Sequence, residues 1–363
     1  MEAVRQLSQW QSAAIRGDSR RPSGSGRLGT MLARILHGAP AEAQSVWQLG
    51  SYKLVDRLGE GGMGEVWRAE HRLLGRPAAV KLIRPEVVGR TEDQETLNRR
   101  FEREARVTAA LRSPHTVTIY DFGAAPDGAF YYAMELLEGL DLETLVTRFG
   151  PQSPERVIHF LLQACDSLAE AHAKGLIHRD IKPQNIFASR LGLNYDFTKV
   201  LDFGLVKTLA LVSSSHVRLT LDGTTTGTPA YMSPEMALGN PVDARSDIYS
   251  LGCVAYRVLT GEQVFERDTA LAVLLAHIQD DPVAPSQRTE LEIPAELDRA
   301  VLACLEKDPA KRPQTAQELA RLLAAVRLPR PWDSARAERW WNTHVPDLGA
   351  SQGAPQTEEY AAA

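Results

Sequence analysis

The residues best suited to chemistry lie in two neighbouring runs, His178-Arg179-Asp180-Ile181-Lys182-Pro183-Gln184-Asn185 and Val200-Leu201-Asp202-Phe203-Gly204. A carboxylate at Asp180, an amide at Asn185 and a second carboxylate at Asp202 are the groups needed to aim a hydroxyl and to hold metal-bound phosphates. The chemistry these parts suit is phosphoryl transfer.

Two further patterns upstream would serve the same chemistry. Gly59-Glu60-Gly61-Gly62-Met63-Gly64-Glu65-Val66 fits G-x-G-x-x-G-x-V, whose first six positions also occur in dinucleotide sites. A dinucleotide site needs a helix after the glycines, whereas Val66-Trp67-Arg68-Ala69 has strand character. The glycines would let a hairpin fold closely over phosphates. Ala78-Ala79-Val80-Lys81 then sets one lysine at the end of an apolar strand. A lone lysine is ordinarily a snorkelling surface residue. The functional reading sets its ammonium on the α- and β-phosphates, held by Glu104 from the following helix, with Glu102 as the competing partner.

The elements that must position these groups change character along the chain. Tyr52 to Leu58, Glu65 to Glu70 and Pro77 to Ile83 are short β-branched and apolar runs between turns, which predicts antiparallel sheet. Asn98 to Leu111 has apolar residues at helical spacing and predicts one long amphipathic helix. Thr116 to Phe122 and Ala129 to Leu137 return to strand character. After Gly139 helices dominate. Ser153-Pro154-Glu155 supplies a hydroxyl N-cap, a proline at the first position and an acid in the first turn, ahead of Val157 to Ala173. Further helices are predicted over Ser246 to Thr260, stopped by Gly261, and over Thr269 to Gln279, Pro294 to Leu305 and Thr315 to Val326.

Composition bounds the class. At 363 residues and 44% hydrophobic content the chain can bury a sizeable core. Lys+Arg 41 against Asp+Glu 46 gives a net charge of -5, which does not favour nucleic acid. Cys165, Cys253 and Cys304 lie far apart in apolar stretches and are expected to be buried, reduced thiols. No apolar run reaches the roughly 18 residues a bilayer requires, and the start lacks a signal peptide's apolar centre. A cytoplasmic protein without a membrane span is expected. Residues 1–50, with Arg20-Arg21-Pro22-Ser23-Gly24-Ser25-Gly26, read as a flexible extension in which Thr30 to Leu36 could form a short amphipathic turn.

Taken together the motifs resemble a eukaryotic-like protein Ser/Thr kinase of the bacterial type over Tyr52 to Leu323. Gly227-Thr228-Pro229-Ala230-Tyr231-Met232-Ser233-Pro234-Glu235, Ser246-Asp247-Ile248-Tyr249-Ser250-Leu251-Gly252 and Lys307-Asp308-Pro309-Ala310-Lys311-Arg312-Pro313 extend the match. The resemblance implies an α+β, two-lobed kinase fold with a small β-rich N-lobe carrying one long helix and a larger helical C-lobe. The expected domain is 51–326, divided near 137, with a Trp-containing tail over 327–363.

The resemblance also implies roles. Asp180 would accept the substrate hydroxyl's proton and aim the hydroxyl, Lys182 would neutralise the transferring phosphoryl group, and Asn185 and Asp202 would hold Mg2+, with Mn2+ as the alternative ion. Leu58, Gly59, Gly61, Gly64, Val66, Ala79, Lys81, Glu104, Met134, Glu135, Leu137 and Asp202 would form the ATP site, Met134 at its back and the backbone of Glu135 and Leu137 meeting adenine. His178 would support the loop, Asp247 would anchor its backbone, and Glu235 and Arg312 would form a buried ion pair. Arg179 would pair with a phosphate on the activation segment, at Thr220, Thr224, Thr225 or Thr226, with Asp222 supplying a permanent charge. Thr228 would contact Asp180 and Lys182.

The implied partners are ATP and proteins bearing Ser or Thr, with a homodimer for autophosphorylation in trans. The alternatives are a pseudokinase or scaffold, against which every catalytic part is present, and a small-molecule phosphotransferase, which would not need the segment ending at Glu235. Pro331-Trp332 and Trp340-Trp341 are a large apolar area, expected to dock on the helical lobe in preference to a partner. Many relatives of this type continue into a membrane helix and an outside sensor; a chain ending at Ala363 is expected to take its signal in the cytoplasm or through a partner.

Overall fold

The strand-forming runs after residue 47 pair into one antiparallel sheet. The computed structural model describes residues 48–61, 64–83, 105–125, 129–203 and 229–346. Strands β1 (Gln48–Leu49), β2 (Tyr52–Gly61), β3 (Gly64–His71), β4 (Pro77–Ile83), β5 (Ile119–Ala124) and β6 (Phe130–Met134) lie in the order β1-β2-β3-β4-β6-β5. Two expectations are corrected. The strand expected from Thr116 starts at Ile119, because residues 115–117 pair with the second lobe: the Val117 N–H donates to Val200 O at 3.0 Å and the Val200 N–H to His115 O at 2.8 Å. The strand expected to reach Leu137 ends at Met134, where the chain passes between lobes. Of the helix expected over 98–111, residues 105–109 are helical and 98–104 lie outside the described residues.

The second lobe is helical, with α1 (Leu142–Phe149), α2 (Pro154–Ala173), α3 (Pro234–Ala237), α4 (Ala244–Thr260), α5 (Ala270–Gln279), α6 (Ala295–Cys304), α7 (Ala316–Ala324) and α8 (Ser334–His344). A small sheet, β7 (Gly139–Asp141), β8 (Ile186–Leu191) and β9 (Asn194–Val200), lies in that order. Helix α4 is almost wholly buried, and its polar residues Ser246, Asp247 and Ser250 are hydrogen-bonded inside the lobe. Asp243 caps its start and Gly261, at a left-handed φ of 76°, ends it, the conformation glycine tolerates best. Ser153 stands at the N-cap of α2, yet its buried hydroxyl makes no bond to a helix amide, so of the three expected start signals Pro154 and the first-turn acid Glu155 remain and the hydroxyl cap does not.

The main core packs α2, α4, α6 and α7 around Leu168, Ile248, Val254, Leu297 and Leu319. Cys165, Cys253 and Cys304 are buried and free, as expected, and burial raises each thiol, that of Cys304 to about 12. Among the described residues no helix is long and apolar enough to cross a membrane.

The tryptophans expected to dock on the helical lobe do so, Trp332 from just before helix α8 and Trp340 and Trp341 from within it; the helix was not itself expected. Asp196 on β9, fully buried and at φ 54°, accepts two bonds from Arg156 of α2, at 2.8 and 2.7 Å. Its oxygens also accept the indole N–H groups of Trp332 at 2.9 Å and Trp341 at 2.6 Å. The Arg156 guanidinium lies 3.6 Å from the Trp340 ring centre, a close cation–π contact. A buried carboxylate with four donors is satisfied, and the tail supplies half of them.

Candidate active site

The loop carrying Asp180 is held from behind by α4. Asp247, almost fully buried, accepts the His178 N–H at 2.8 Å, the Arg179 N–H at 2.8 Å and a bond from His172 Nε2 at 2.8 Å. Arg179 has a left-handed φ of 63°, so the chain turns tightly enough to aim successive amides at one carboxylate. His178 is fully buried, and burial holds its imidazole below the ordinary histidine value, against the pull of Asp247. A neutral ring with one donor and one acceptor fits its contacts: Nε2 donates to Leu201 O at 2.7 Å, and Nδ1 accepts the Asp180 N–H at 3.2 Å. His178 thereby ties the Asp180 loop to the strand leading into Asp202, and its ring lies 4.6 Å from that of Phe203.

The polar residues of the loop converge. Lys182 Nζ lies 3.0 Å from Asp180 Oδ2, and Asn185 Nδ2 donates to Asp180 O at 2.8 Å and to its Oδ2 at 3.3 Å. The Asn185 amide nitrogen thus faces Asp180, and what it can offer a cation is its Oδ1. The Leu201 N–H donates to Asn185 O at 2.9 Å, which sets Asp202 beside the loop. Asp202, like Arg179, has a left-handed φ, 56°.

The first lobe reaches the same point. The register of β4 and β6 sets Lys81 opposite Tyr132 and Ala79 opposite Met134, so all four share one face. Lys81 Nζ lies 2.6 Å from Asp202 Oδ2, and the Tyr132 hydroxyl donates to Asp202 Oδ1. Burial would raise the Asp202 carboxyl, but the Lys81 ammonium and the two hydrogen bonds outweigh it and hold it below the ordinary aspartate value. Burial and the Asp202 charge push the Tyr132 phenol well above its ordinary value, so it remains a donor. Tyr132 was missed in the sequence; the signal was its period-two spacing from Met134, which put both on one strand face.

On the nucleotide side, Val66 pairs with Lys81 and packs with Ala79 and Met134, while Leu58 is half exposed above them. The three glycines separate. Gly64 is required by the fold: at φ 151°, a Cβ there would fall 1.7 Å from Leu82 O. At Gly59 and Gly61 a Cβ would meet no protein atom within 4 Å, so the surrounding protein does not impose their smallness. That is the arrangement a close phosphate approach needs. The Glu135 N–H donates to Thr118 O at 3.0 Å, and its carboxylate accepts the Thr118 N–H and Lys199 Nζ, each at 2.7 Å. The Glu135 N–H is therefore committed, and its carbonyl is what it can turn to adenine.

Glu235 and Arg312 form the expected buried pair, bonded twice at 2.8 Å, with Ser246 donating to the same carboxylate. Glu104, Gly204, Thr220, Asp222, Thr224, Thr225, Thr226 and Thr228 lie outside the described residues. The oxygen donors of Asn185 and Asp202 suit a hard divalent cation, and the Gly59–Gly61 surface with Lys81 suits phosphates.

A protein kinase domain model matches residues 52–322. The chain belongs to the protein kinase family. Among curated proteins, it is 38% identical over 276 residues to serine/threonine-protein kinase pkn3 of Myxococcus xanthus and 42% identical over 271 residues to serine/threonine-protein kinase PknB of Mycolicibacterium smegmatis. These matches take in 76% and 74% of this chain but 50% and 41% of those proteins, so the chain spans half or less of their length. The solved kinase domain of M. tuberculosis PknI overlays with a TM-score of 0.60 at 27% identity, covering 77% of this chain and 97% of that one. The resemblance to bacterial Ser/Thr kinases and the two-lobed fold expected from it are borne out.

Proposed function

We propose that the protein is a Ser/Thr protein kinase, transferring the γ-phosphate of ATP to Ser or Thr hydroxyls of proteins. One observation carries the reading: Lys81 from the strand lobe and Asp180, Lys182, Asn185 and Asp202 from the helical lobe converge on one cleft, Lys81 touching Asp202 at 2.6 Å. These are the groups phosphoryl transfer needs, since positioning and charge stabilisation supply most of its catalysis. Family membership supports ATP and a divalent metal, Mg2+ with Mn2+ as the alternative.

In this reading Asn185 Oδ1 and the Asp202 carboxylate would hold the metal, which would supply positive charge against the phosphates. Lys81 turns its ammonium to the α- and β-phosphates. The Gly59 and Gly61 backbone covers the phosphates, Met134 closes the back of the adenine pocket, and the Glu135 carbonyl with the Leu137 backbone meets its edge. Asp180 Oδ2, steered by Lys182 and Asn185, aims the substrate hydroxyl and takes its proton. Lys182 then faces the charge that develops on the transferred group.

The same reading extends to regulation and placement. Arg179 beside Asp180 pairs with a phosphate on Thr220, Thr224, Thr225 or Thr226, Asp222 supplying part of the second charge, and Thr228 aids Ser/Thr selection. Autophosphorylation runs in trans within a homodimer. The kinase domain spans 51–326, residues 1–50 form an extension, 327–363 a tail, and the protein works in the cytoplasm. Incubation with labelled ATP and Mg2+ tests this: wild type incorporates label into itself and a Ser/Thr protein, while Asp180→Asn and Lys81→Met lose at least about 100-fold. Equal incorporation by all three overturns the assignment. Mass mapping of the wild type that finds phosphate on none of the threonines from 220 to 226 overturns the switch.

A further inference from the structure

We propose that Tyr132 is a positioning residue for Asp202, holding that carboxylate in the cleft from the strand lobe; the inference rests on the reading of Asp202 as a metal ligand. Two observations converge on it. The pairing of β4 with β6 sets Tyr132 directly opposite Lys81, so one sheet face aims both side chains at the same aspartate. Tyr132 is 2% exposed among Ala79, Ile83, Phe130 and Met134, and in these apolar surroundings its hydroxyl is bonded to Asp202 Oδ1.

The division of labour follows from chemistry. A carboxylate offers about four lone-pair positions, of which Lys81 and Tyr132 use one each, leaving acceptor capacity for a cation. Lys81 is a flexible ammonium required by the phosphates, so its bond to Asp202 at 2.6 Å is one that nucleotide must loosen. Tyr132 is neutral, rigid and locked in a packed cluster, so its bond persists when Lys81 turns away. It orients the carboxylate without adding charge that would compete with the metal.

The test uses the full chain, a fluorescent non-hydrolysable ATP analogue and Mg2+ titration, with wild type, Tyr132→Phe and Asp202→Asn. Phenylalanine keeps the ring that fills the cluster and removes only the hydroxyl. Tyr132→Phe is expected to bind the analogue without metal as wild type does, while the Mg2+ concentration for half-maximal tightening rises about tenfold, the scale of one hydrogen bond to a charged group. Hydrogen exchange at the amides of Leu201 to Phe203, measured without metal or nucleotide, is expected to quicken in the same variant. An unchanged or lower Mg2+ midpoint, or unchanged exchange, overturns the inference. Asp202→Asn separates the two claims: if it keeps the Mg2+ dependence, the metal-ligand reading fails, whereas if it loses that dependence and Tyr132→Phe keeps it, Tyr132 alone has been misassigned.

Discussion

Asp202 and His277 illustrate how burial is answered by a neighbour in one place and endured in another. At Asp202 the Lys81 charge overcomes desolvation. At His277 on α5 there is no such rescue: the residue is fully buried, its Nδ1 meets the Tyr249 hydroxyl at 2.8 Å, and Phe265 packs against its ring edge to face. Burial first, and the Lys307 charge second, hold its imidazole down at about 4. As pH falls through the ordinary value of about 6.5 the unfolded chain takes up a proton that the folded chain refuses until about 4, so stability present above 6.5 is lost progressively across that window. The shift corresponds to about 3 kcal/mol at full loss. His277→Gln should flatten the slope of unfolding free energy against pH between 6.5 and 4.5, read from urea curves; an unchanged slope would show that His277 does not titrate differently on folding.

Between elements, the Glu235–Arg312 pair fastens α3 to the turn at Pro309–Lys311 and, through Ser246, to the start of α4. Arg312 is 3% exposed, so its removal leaves a carboxylate without its cation. Arg312→Met should lower unfolding free energy by about 3–5 kcal/mol, with the urea m-value unchanged. The pair was legible because both residues sit in long ordered motifs. So were the helices from α4 to α7, expected from their apolar runs, with Thr269 and Thr315 capping α5 and α7 where two of those runs begin. The strands β8 and β9 were not: Ile186–Leu191 and Asn194–Val200 alternate poorly because α2 covers part of one face and the loop takes the ends. Nor was Asp196, since nothing local distinguishes a carboxylate that Arg156 will meet 40 residues away in sequence.

Across the whole molecule the folded unit is larger than its family match, which ends at residue 322. Trp341 is 2% exposed and belongs to the main core, with its indole N–H on Asp196. A chain ended at Val326, or one carrying Trp341→Ala, should lose about 3–5 kcal/mol in urea unfolding, the cost of emptying a large aromatic site. Trp341→Phe, which keeps most of the ring but not the donor, should lose less; equal stability of all four proteins would mean that the docked tail contributes nothing. The clamp also makes the protein its own optical probe. Of its six tryptophans, three, Trp332, Trp340 and Trp341, sit at Arg156 and Asp196. Intrinsic emission is therefore weighted towards that one junction. A red shift without loss of far-UV circular dichroism would report the tail lifting from β9 while the lobes stay folded, with no label attached.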